Sequence, residues 1–534
     1  MKMNSFINKH VTEDKIDIFG KKIQAKYIFF VLMIVGILVR AVGLSTVPGG
    51  LNQDEAFSGY EAYSLLHYGM DSAGYAFPVY FVSWGSGMNV LNSYLMMPFI
   101  GIFGVHTWTV RMPQMITACV SLYIFYRLFS RIFNQKQALI GLLILAISPW
   151  HIMMARWGLE SNLAPGFLLF GLYAFILGTE KSKFYIVSAV CYGLSLYAYA
   201  TIWPVVPVLL VLQFVYLLWV KKFKFDLNVV IAVAVLIVFA LPLLFFLLIN
   251  KGYMEEIATP FFSIPKLIYM RSSEISFNNI SGNLKNLWSI LWNQSDGLLW
   301  NATEKFGLYY KGGIIVAIAG FAFCIYRTVR SIIKREFDGH ALILIQFIVA
   351  FGLGCLVMVN VNRINCIHIS MIAFIAIALY QVLNFVSTKF KYGCGLSAAV
   401  VAAACVGFVM FSGYYFTDYR EEIAPVFHDG LDKAVEYAEE IREDGQTIYV
   451  SPIYSYSKIL LMSKYPVTEY RETVEYTNYP SAFLSVGSFG HYSFDLSQLW
   501  DNGIFIVDKN YGQTMKEYGW NVKIFGETAV FTAP

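Results

Sequence analysis

The sequence has little charge for its length. Only 14% of its 534 residues are Asp, Glu, Lys or Arg, whereas an ordinary globular domain has about 25%. This scarcity excludes a soluble enzyme and a disordered scaffold. The formal net charge of +4 is also too small to indicate a nucleic-acid partner, because binding to a polyanion requires many clustered cations.

Cysteine is scarce, and its spacing carries no motif. The seven cysteines form no C-x-x-C pair, so the sequence has neither a zinc-binding nor a redox motif of that kind. A disulfide-stapled secreted domain is excluded as well. Most of the cysteines lie in apolar runs, where a free cysteine behaves as a small buried hydrophobic residue.

Long apolar runs are abundant. Hydrophobic residues make up 57% of the chain and aromatic residues 17%, a profile typical of membrane proteins with aromatic side chains near the lipid headgroups. A helix needs about 20 apolar residues to cross a bilayer. The sequence therefore predicts a polytopic α-helical membrane protein with about eleven spans. They are predicted near residues 27–49, 105–126, 137–155, 164–179, 184–200, 203–220, 227–249, 312–326, 340–359, 366–386 and 395–416.

The distribution of Lys and Arg predicts the orientation of these spans. Several lysines precede the first span, whereas the segment from Ala41 to Val110 contains no Lys or Arg. Because positive residues concentrate on the cytoplasmic side, residues 1–26 are predicted to be cytoplasmic. With an odd number of spans in a membrane domain over 27–416, the C-terminus is predicted to lie outside. We expect a multi-pass protein of the cell membrane, in contact with its lipids.

Three segments on the predicted outer face are long enough to form a site: residues 50–104, 250–311 and 417–534. The last contains 9 Lys and Arg and 18 Asp and Glu, a net charge of −9, and it predicts a small extracytoplasmic α/β domain. Its predicted helices are His428–Glu443 and Ser455–Ser463, and its predicted strands include Thr447–Val450 and Gly503–Val507. Within 250–311, Trp288, Trp292 and Trp300 recur at near-helical spacing, which indicates an amphipathic helix at the membrane surface.

The first outer segment contains two adjacent carboxylates, Asp54 and Glu55. Asn52 is a candidate N-cap, with Glu55 reaching back from the third helical position in a capping box. Asp54 has no such specific structural explanation, although an acid in the first turn is favoured by the helix dipole. A carboxylate at the membrane boundary can accept a proton from a hydroxyl or amine, or bind a divalent cation. Asp54 is therefore the first catalytic candidate and Glu55 the second.

The same segment is rich in aromatic side chains. Flat aromatic faces can stack on sugar or prenyl groups, and the alternative is a belt of aromatic residues at the membrane interface. The candidates are Tyr75, Phe77, Tyr80, Phe81 and Trp84.

Two later clusters combine basic and polar residues. Arg156 and Glu160 are four positions apart, so they form either a helical ion pair or a site in which Arg156 meets a phosphate and Glu160 shares a cavity with Asp54. Between two apolar runs there is a polar cluster that contains several Asn residues, His368 and Arg363. Arg363 is its one basic group of fixed charge. Its guanidinium offers paired donors suited to a phosphate, and the alternative is an arginine that reaches out to the lipid headgroups.

The order of these blocks resembles that of GT-C membrane glycosyltransferases, in the subgroup that contains protein O-mannosyltransferases and the lipid A aminoarabinose transferase. The resemblance covers roughly residues 30 to 210, and beyond them it is carried by topology and the Arg363 turn. The blocks are Asp54-Glu55-Ala56, Gly59-Tyr60-Glu61-Ala62-Tyr63-Ser64-Leu65, Arg111-Met112-Pro113, Ser148-Pro149-Trp150-His151, Arg156 and Glu160-Ser161-Asn162-Leu163.

The resemblance implies transfer of a sugar from a polyprenyl-phosphate donor to a glycan, lipid or protein acceptor on the outer face, with inversion at the anomeric carbon. It also implies a bacterial plasma membrane as the location. Asp54 would be the base, with Glu55 and Glu160 as further acidic groups, and Arg363 and Arg156 would hold the donor phosphate. Asp54 and Glu160 are also the candidate ligands of a divalent cation. The candidate substrate-binding residues are Tyr60, Tyr80, Trp84, His151, Asn162 and His368.

Two other functions use the same residue types. A transporter or flippase of lipid-linked saccharides would bind them without chemistry, and a polymerase or ligase would use a lipid-linked acceptor. Transporters usually place their polar groups near the middle of the bilayer, in repeat-related halves. The candidate residues here gather at the outer ends of the spans, and the sequence shows no internal repeat. A glycosyltransferase is therefore the favoured prediction.

Overall fold

The structure is a computed structural model that describes residues 15–18, 21–270, 277–497, 499 and 502–534. Much of the predicted cytoplasmic segment 1–26 lies outside the described residues. Each predicted span corresponds to a helix. Within the described part of the chain, eight helices are long and apolar enough to cross a membrane, and further apolar helices are shorter. The prediction of a polytopic helical protein is confirmed.

The helices from the first span to the last are numbered in chain order. They are α1 (Ala25–Ala41), α2 (Gln53–Tyr68), α3 (Leu91–Phe103), α4 (Thr107–Ile132), α5 (Gln135–Ile147), α6 (Pro149–Met154), α7 (Ala164–Gly178), α8 (Phe184–Leu196), α9 (Ile202–Trp219), α10 (Leu227–Asn250), α11 (Ile280–Asn293), α12 (Gly313–Lys334), α13 (Gly339–Leu356), α14 (His368–Lys389) and α15 (Gly393–Phe416). Short 3₁₀ turns at Glu160–Asn162 and Asn365–Ile367 precede α7 and α14.

The C-terminal domain is built on one seven-stranded mixed sheet, which confirms the predicted α/β class. The strand order is β10-β11-β9-β5-β8-β7-β6, and β5 pairs in parallel with both β8 and β9. The strands are β5 (Ile448–Val450), β6 (Glu475–Tyr476), β7 (Val486–Phe489), β8 (Tyr492–Ser493), β9 (Ile504–Asp508), β10 (Asn521–Phe525) and β11 (Thr528–Thr532). The helices are α16 (Asp418–Phe427), α17 (Leu431–Ile441), α18 (Tyr456–Met462), α19 (Val467–Thr473) and α20 (Lys509–Glu517). The remaining strands form two small hairpins, β1 (Lys15–Ile18) with β2 (Lys21–Gln24) and β3 (Ile257–Ala258) with β4 (Ser263–Ile264).

Helix α11 has the two faces that its tryptophan spacing predicted. Leu287 and Ile290 are buried on one face. Trp288 and Trp292 are 53% and 51% exposed on the other, with their rings stacked 5.9 Å apart. The prediction of an amphipathic helix is confirmed for Trp288 and Trp292, whereas Trp300 lies beyond the end of the helix at Asn293. The position of the helix at a membrane surface stays a prediction.

The three predicted outer segments meet at one end of the bundle. The amide of Val79 donates to the carbonyl of Ser263 at 2.9 Å, which joins the first outer segment to the second. The amide of Leu484 in the C-terminal domain donates to the carbonyl of Trp84 at 2.8 Å. Because all three segments share this end, any site formed there draws on residues that are far apart in sequence.

The C-terminal domain is held to the first outer segment by a shared core. Ala56 and Tyr60 of α2 belong to the same buried cluster as Ile459 and Leu461 of α18. The Ser457 hydroxyl also donates to the carbonyl of Gln53 at 3.2 Å. Burial of apolar area contributes about 25 cal/mol per Å², so this packing fixes the domain firmly against α2.

Candidate functional site

A cavity of about 360 Å³ lies where the first turn of α2, the turn before α14 and the C-terminal domain meet. This volume is within the range of about 300–1,000 Å³ typical of small-molecule sites. The lining is mostly polar with two tryptophans. It consists of Asn52, Gln53, Asp54, Trp157, Leu298, Trp300, Asn360, Asn362, Val426, His428, Ile453, Ser455 and Lys458.

Asp54 lies in the wall of this cavity. It is half-buried in the first turn of α2, and its amide donates to the Asn52 side-chain oxygen at 3.0 Å. A carboxylate at a helix N-terminus is favoured by the free N–H groups and the helix dipole. The structure therefore brings the first catalytic candidate to a cavity, and its catalytic role stays a prediction.

Glu55 points away from the cavity and into the protein. Its two oxygens accept from Arg111 Nε at 2.8 Å and from Arg111 Nη2 at 3.1 Å. They also accept from the amides of Asn52 at 2.9 Å and Gly158 at 2.5 Å. The capping box predicted with Asn52 is confirmed. Because the carboxylate is fully buried and occupied by these donors, we assign Glu55 a structural role in place of the catalytic one.

Arg156 is also occupied inside the protein. Its guanidinium donates to the carbonyls of Val39 at 2.9 Å, Gly43 at 2.8 Å and Val47 at 3.1 Å, where α1 ends. The guanidinium carbon also lies 5.0 Å from the ring centroid of Phe416. The carbonyl of Val39 is one of those that the end of a helix leaves without an intrahelical partner, and the other two belong to the turn that follows α1. The structure thus corrects the expectation that Arg156 holds a phosphate.

The helical ion pair between Arg156 and Glu160 is not formed. Helix α6 ends at Met154, and Glu160 begins a separate 3₁₀ turn, so the two residues are not on one helix. Glu160 is buried, and one carboxylate oxygen accepts from the amide of Asn89 at 2.5 Å. Glu160 is not among the residues that line the cavity.

Arg363 lies in the turn that supplies two of the cavity residues. Asn360 and Asn362 line the cavity, and the Arg363 amide donates to the Asn360 side-chain oxygen at 2.8 Å. The guanidinium is half-buried, and Nη1 donates to the carbonyl of Met358 at 3.1 Å. Arg363 is therefore next to the cavity wall, and its predicted contact with a phosphate stays a prediction.

The three aromatic residues predicted to bind substrate pack within the protein instead. The Tyr60 hydroxyl donates to the carbonyl of Tyr465 at 2.9 Å, across the contact with the C-terminal domain. Tyr80 packs on Phe246 with ring centroids 4.5 Å apart. Trp84 packs on Tyr456 at 5.1 Å. The aromatic rings that line the cavity are Trp157 and Trp300, which spacing alone did not distinguish from other tryptophans.

The two histidine candidates lie in the interior. Nδ1 of His151 contacts Arg40 Nη2 at 2.7 Å, and Nδ1 of His368 contacts the Tyr309 hydroxyl. Both imidazoles are fully buried and neither lines the cavity. They therefore serve packing and hydrogen bonding between helices, in place of the predicted contact with substrate.

Asn162 lies closer to the site. Its side-chain oxygen accepts from the Asn365 amide group at 3.0 Å, and Asn365 in turn accepts from Trp150 Nε1 at 2.9 Å. Asn162 lines a narrow crevice of about 10 Å³ that shares Trp157 and Trp300 with the main cavity. A contact between Asn162 and substrate stays a prediction.

The predicted cation pair, Asp54 and Glu160, does not belong to a larger group of metal-ligating side chains in the described part of the chain. Ca²⁺ takes six to eight oxygen ligands, and a structural zinc site takes four nitrogen or sulfur ligands. Within the described residues, no group of three or more His, Cys, Asp or Glu side chains is placed to hold a metal ion. One Glu160 oxygen also accepts from a backbone amide. Mg²⁺ often takes only one or two carboxylates together with substrate phosphates and water, so the cation at Asp54 and Glu160 stays a prediction, and no step below depends on one.

Sequence reasoning missed the contribution of the C-terminal domain. Lys458 of α18 lines the cavity and is only 2% exposed. Its ammonium donates to Nδ1 of His428 at 2.8 Å and lies 3.5 Å from the carbonyl of Phe427. Burial lowers the pKa of Lys458 to about 7, while the charges of Glu55 and Asp54 raise it. Burial, and then the Lys458 charge, lower the pKa of His428 to about 3.

A sequence signal for Lys458 does exist. The predicted helix Ser455–Ser463 has Lys458 directly before Ile459-Leu460-Leu461-Met462. A lysine on the apolar face of a short helix must be buried together with that face, and buried lysines are rare unless they have a partner or a function. What the sequence could not show is that this face packs on α2 beside Asp54.

Comparison with known proteins adds the family context. The sequence model of the dolichyl-phosphate-mannose-protein mannosyltransferase family matches residues 90–246. No curated protein sequence matches the chain.

Two solved structures of ArnT from Cupriavidus metallidurans share the fold of this chain. The apo form has a TM-score of 0.57 at 11% sequence identity, and the match covers 96% of this chain and 99% of ArnT. The form bound to undecaprenyl phosphate has a TM-score of 0.58 at 11% identity, covering 95% and 99%.

A more distant structure is the archaeal oligosaccharyltransferase AglB from Archaeoglobus fulgidus, in complex with an inhibitory peptide and a dolichol-phosphate. It has a TM-score of 0.50 at 13% identity, and the match covers 82% of this chain and 63% of AglB. Together with the sequence match, these likenesses confirm the resemblance drawn from the residues. The chain has the GT-C fold of the protein mannosyltransferase and aminoarabinose transferase superfamily.

Proposed function

We propose that this protein is a glycosyltransferase that moves a sugar from a polyprenyl-phosphate donor to an acceptor at the outer face of a bacterial plasma membrane. In this proposal the N-terminus is cytoplasmic and the C-terminal domain lies outside. The observation that carries the proposal is the cavity, which is lined by Asp54 together with residues of the C-terminal domain. The family match over 90–246 and the undecaprenyl phosphate bound to ArnT support the class of donor.

The lining of the cavity suits a sugar and a proton transfer. Trp157 and Trp300 offer aromatic faces, and Asn360 and Asn362 offer amide donors and acceptors. Such a combination of flat apolar faces with a few polar groups is what orients a ligand in a pocket. Asp54 lies in the same wall, so a group bound there is within its reach.

The chemistry assigned to Asp54 is general base catalysis. Its carboxylate accepts the proton of an acceptor hydroxyl or amine while the freed electron pair attacks the anomeric carbon. The bond from that carbon to the phosphate oxygen breaks, and its electrons leave with the polyprenyl phosphate. Attack from the face opposite the leaving group inverts the anomeric centre. General base catalysis contributes roughly 10²- to 10⁴-fold to a rate.

A flippase is supported less well by the same geometry. The cavity lies at the end of the bundle where the three outer segments meet, whereas transporters bind their substrate near the bilayer midplane. The C-terminal domain also closes over this end through a shared apolar core. A lipid-linked acceptor, as in a polymerase or ligase, would use the same donor half of the site.

The test is donor turnover by the purified protein in detergent. The native chain is given a panel of polyprenyl-phosphate sugars with cell-envelope extract as acceptor, and free polyprenyl phosphate is quantified by mass spectrometry. Asp54→Asn runs alongside, with Asp432→Asn as the matched control. Asp432 is an exposed acid in the first turn of α17, so the control removes the same charge from the same helical position away from the cavity.

The proposal predicts release by the native chain and by Asp432→Asn, and at least a hundredfold slower release by Asp54→Asn. Release by all three would keep the transferase and exclude Asp54 as the base. If folded protein releases polyprenyl phosphate from no donor, the proposed function is wrong, and transport of the donor across vesicle membranes becomes the next measurement.

A further inference from the structure

The C-terminal domain places a basic side chain in the wall of the cavity. Lys458 is on α18, and α18 packs on α2, which carries Asp54. The Ser457 hydroxyl donates to the Gln53 carbonyl. Ser457 directly precedes Lys458, and Gln53 directly precedes Asp54. Lys458 is thus fixed in its position by packing on both sides, unlike a surface lysine that is free to move.

The partners of the Lys458 ammonium are neutral. Its contacts in the described residues are the imidazole of His428 at 2.8 Å and the carbonyl of Phe427 at 3.5 Å. Within that part of the chain no carboxylate lies at ion-pair distance from it. A buried charge without a close counter-ion is costly, and an apolar side chain of similar size would usually be as stable or more stable. The charges of Glu55 and Asp54 favour the ammonium from beyond ion-pair distance, and none of its direct partners neutralises it.

Other buried cations near the site do have a structural reason. Arg111 donates to Glu55 and to the carbonyls of Leu44 and Pro48. Arg156 donates to carbonyls at the end of α1. Among the described residues that line the cavity, Lys458 is the one Lys or Arg.

An anion in the cavity would complete the surroundings of Lys458. A hydrogen bond between an ammonium and a phosphate oxygen is charge-assisted and about twice as strong as a neutral one. It would also compensate the cost of burying the ammonium. The asparagine side chains in the opposite wall can donate to the same group.

We propose that Lys458 is a substrate-binding residue and that its ammonium binds the phosphate of the lipid-linked donor, so that the C-terminal domain forms part of the active site. This inference rests on the proposed function. It gives the leaving group a cation in the same cavity as the residue that accepts the proton. It also assigns the role expected of Arg156 to a residue more than 300 positions later in the chain.

The direct test is binding, which does not depend on turnover. Native mass spectrometry measures the dissociation constants of undecaprenyl phosphate and of undecaprenol, which lacks the phosphate. The variants are Lys458→Met, which keeps the length of the side chain, and Lys516→Met as the control. Lys516 is exposed on α20.

The proposal predicts that Lys458→Met weakens binding of undecaprenyl phosphate at least tenfold and leaves undecaprenol unchanged, while Lys516→Met changes neither. Equal weakening of both lipids, or of neither, would overturn it. Inorganic phosphate is added as a competitor: displacement of the lipid from the native chain and not from Lys458→Met assigns the phosphate group to Lys458. Loss of turnover with normal donor binding would place Lys458 on the acceptor and also overturn the proposal.

The native chain provides a second test that needs no variant of Lys458 to fold. The donor is a phosphodiester and keeps one negative charge from pH 6 to pH 9, whereas an ammonium with a pKa of about 7 loses its proton over this range. The titratable groups that act on it are His428, which it contacts, and the charges of Asp54 and Glu55. We expect kcat/KM for the donor to fall about tenfold for each pH unit on the alkaline side.

Lys458→Arg keeps its charge at pH 9 and should flatten this decline, which a merely structural lysine would not do. A profile of the native chain that is flat up to pH 9 would contradict the proposal. The proposed function is tested by release of polyprenyl phosphate from the native chain at one pH, whereas the role of Lys458 is tested by how kcat/KM changes with pH. The second proposal can therefore fail while the first holds.

Discussion

Arg156 and Lys458 are two buried cations that lie near the same end of the bundle, and their surroundings differ. Arg156 donates to backbone carbonyls at the end of α1 and stacks near Phe416. Lys458 contacts a neutral imidazole and one carbonyl, and it lines a cavity. The comparison teaches that burial and charge do not identify a functional cation. A functional cation is identified by hydrogen-bond and charge partners that the folded chain supplies only in part.

The largest expected effect is the loss of stability when Arg156, the structural cation of this pair, is replaced. Arg156→Met removes the donors of several buried carbonyls, each of which costs roughly 1–3 kcal/mol when it is left without a partner. We expect a loss of stability of at least about 3 kcal/mol, seen as a much lower thermal midpoint in detergent. A stable Arg156→Met variant that no longer binds undecaprenyl phosphate would reverse the roles of Arg156 and Lys458.

The adjacent acids Asp54 and Glu55 sharpen the same distinction. Glu55→Gln breaks a fully buried ion pair with Arg111, which typically costs about 3–5 kcal/mol. Asp54→Asn at the cavity should leave the thermal midpoint nearly unchanged and abolish turnover. Thermal unfolding and turnover are measured on both variants. If Glu55→Gln is as stable as the native chain, its carboxylate is not the structural group described here.

A second pair of acids in the first outer segment, Glu61 and Asp71, is also buried. Burial raises the pKa of Asp71 to about 7, and burial and the charge of Asp71 raise that of Glu61. Because the folded pKa is above the unfolded one, stability is greatest at low pH and declines as pH rises towards about 7. The decline is at most about 1.4 kcal/mol per pH unit for each group.

Asp71→Asn removes the Asp71 part of this dependence. We expect the thermal midpoint of the native chain to decline more steeply between pH 5 and pH 7 than that of Asp71→Asn. The control is Asp432→Asn, which removes an exposed acid. Identical slopes for the native chain and Asp71→Asn would show that Asp71 ionises normally.

The smallest expected effect concerns the contact between the first outer segment and the C-terminal domain. Tyr60→Phe removes one hydrogen bond to the Tyr465 carbonyl and should reduce stability by about 1 kcal/mol. The KM for the donor should stay the same. A raised KM with unchanged stability would restore the prediction that Tyr60 contacts substrate.

The sequence alone predicted those features of the fold that depend on a local pattern of residues. Apolar run length predicted helices such as Leu227–Asn250, and the Asn52–Glu55 spacing predicted a capping box. The helix predicted at Ser455–Ser463 is observed at Tyr456–Met462. These features depend on neighbouring residues, so a single sequence contains them.

The parts that failed depend on which distant segments meet. Arg156 and Arg363 look equivalent as basic residues at the ends of spans, and a neighbour of each lines the cavity. Only the contacts made in the fold show that Arg156 itself donates to carbonyls in the interior. In the sequence, Tyr60, Tyr80 and Trp84 resemble a surface on which a sugar could stack. In the fold, Tyr60 and Trp84 contact the C-terminal domain, and Tyr80 packs on Phe246. Lys458 could be placed beside Asp54 only through the packing of α18 on α2, which no local pattern encodes.

The central claim is that the donor phosphate binds to Lys458 in the cavity that Asp54 also lines, and a structure of the protein with bound undecaprenyl phosphate tests it most directly. Cryo-electron microscopy of the native chain with this lipid should show the phosphate in the cavity, with an oxygen about 3 Å from Lys458 Nζ. Phosphate density against Arg156 or outside the cavity, with Lys458 still contacting only His428 and Phe427, would contradict the account.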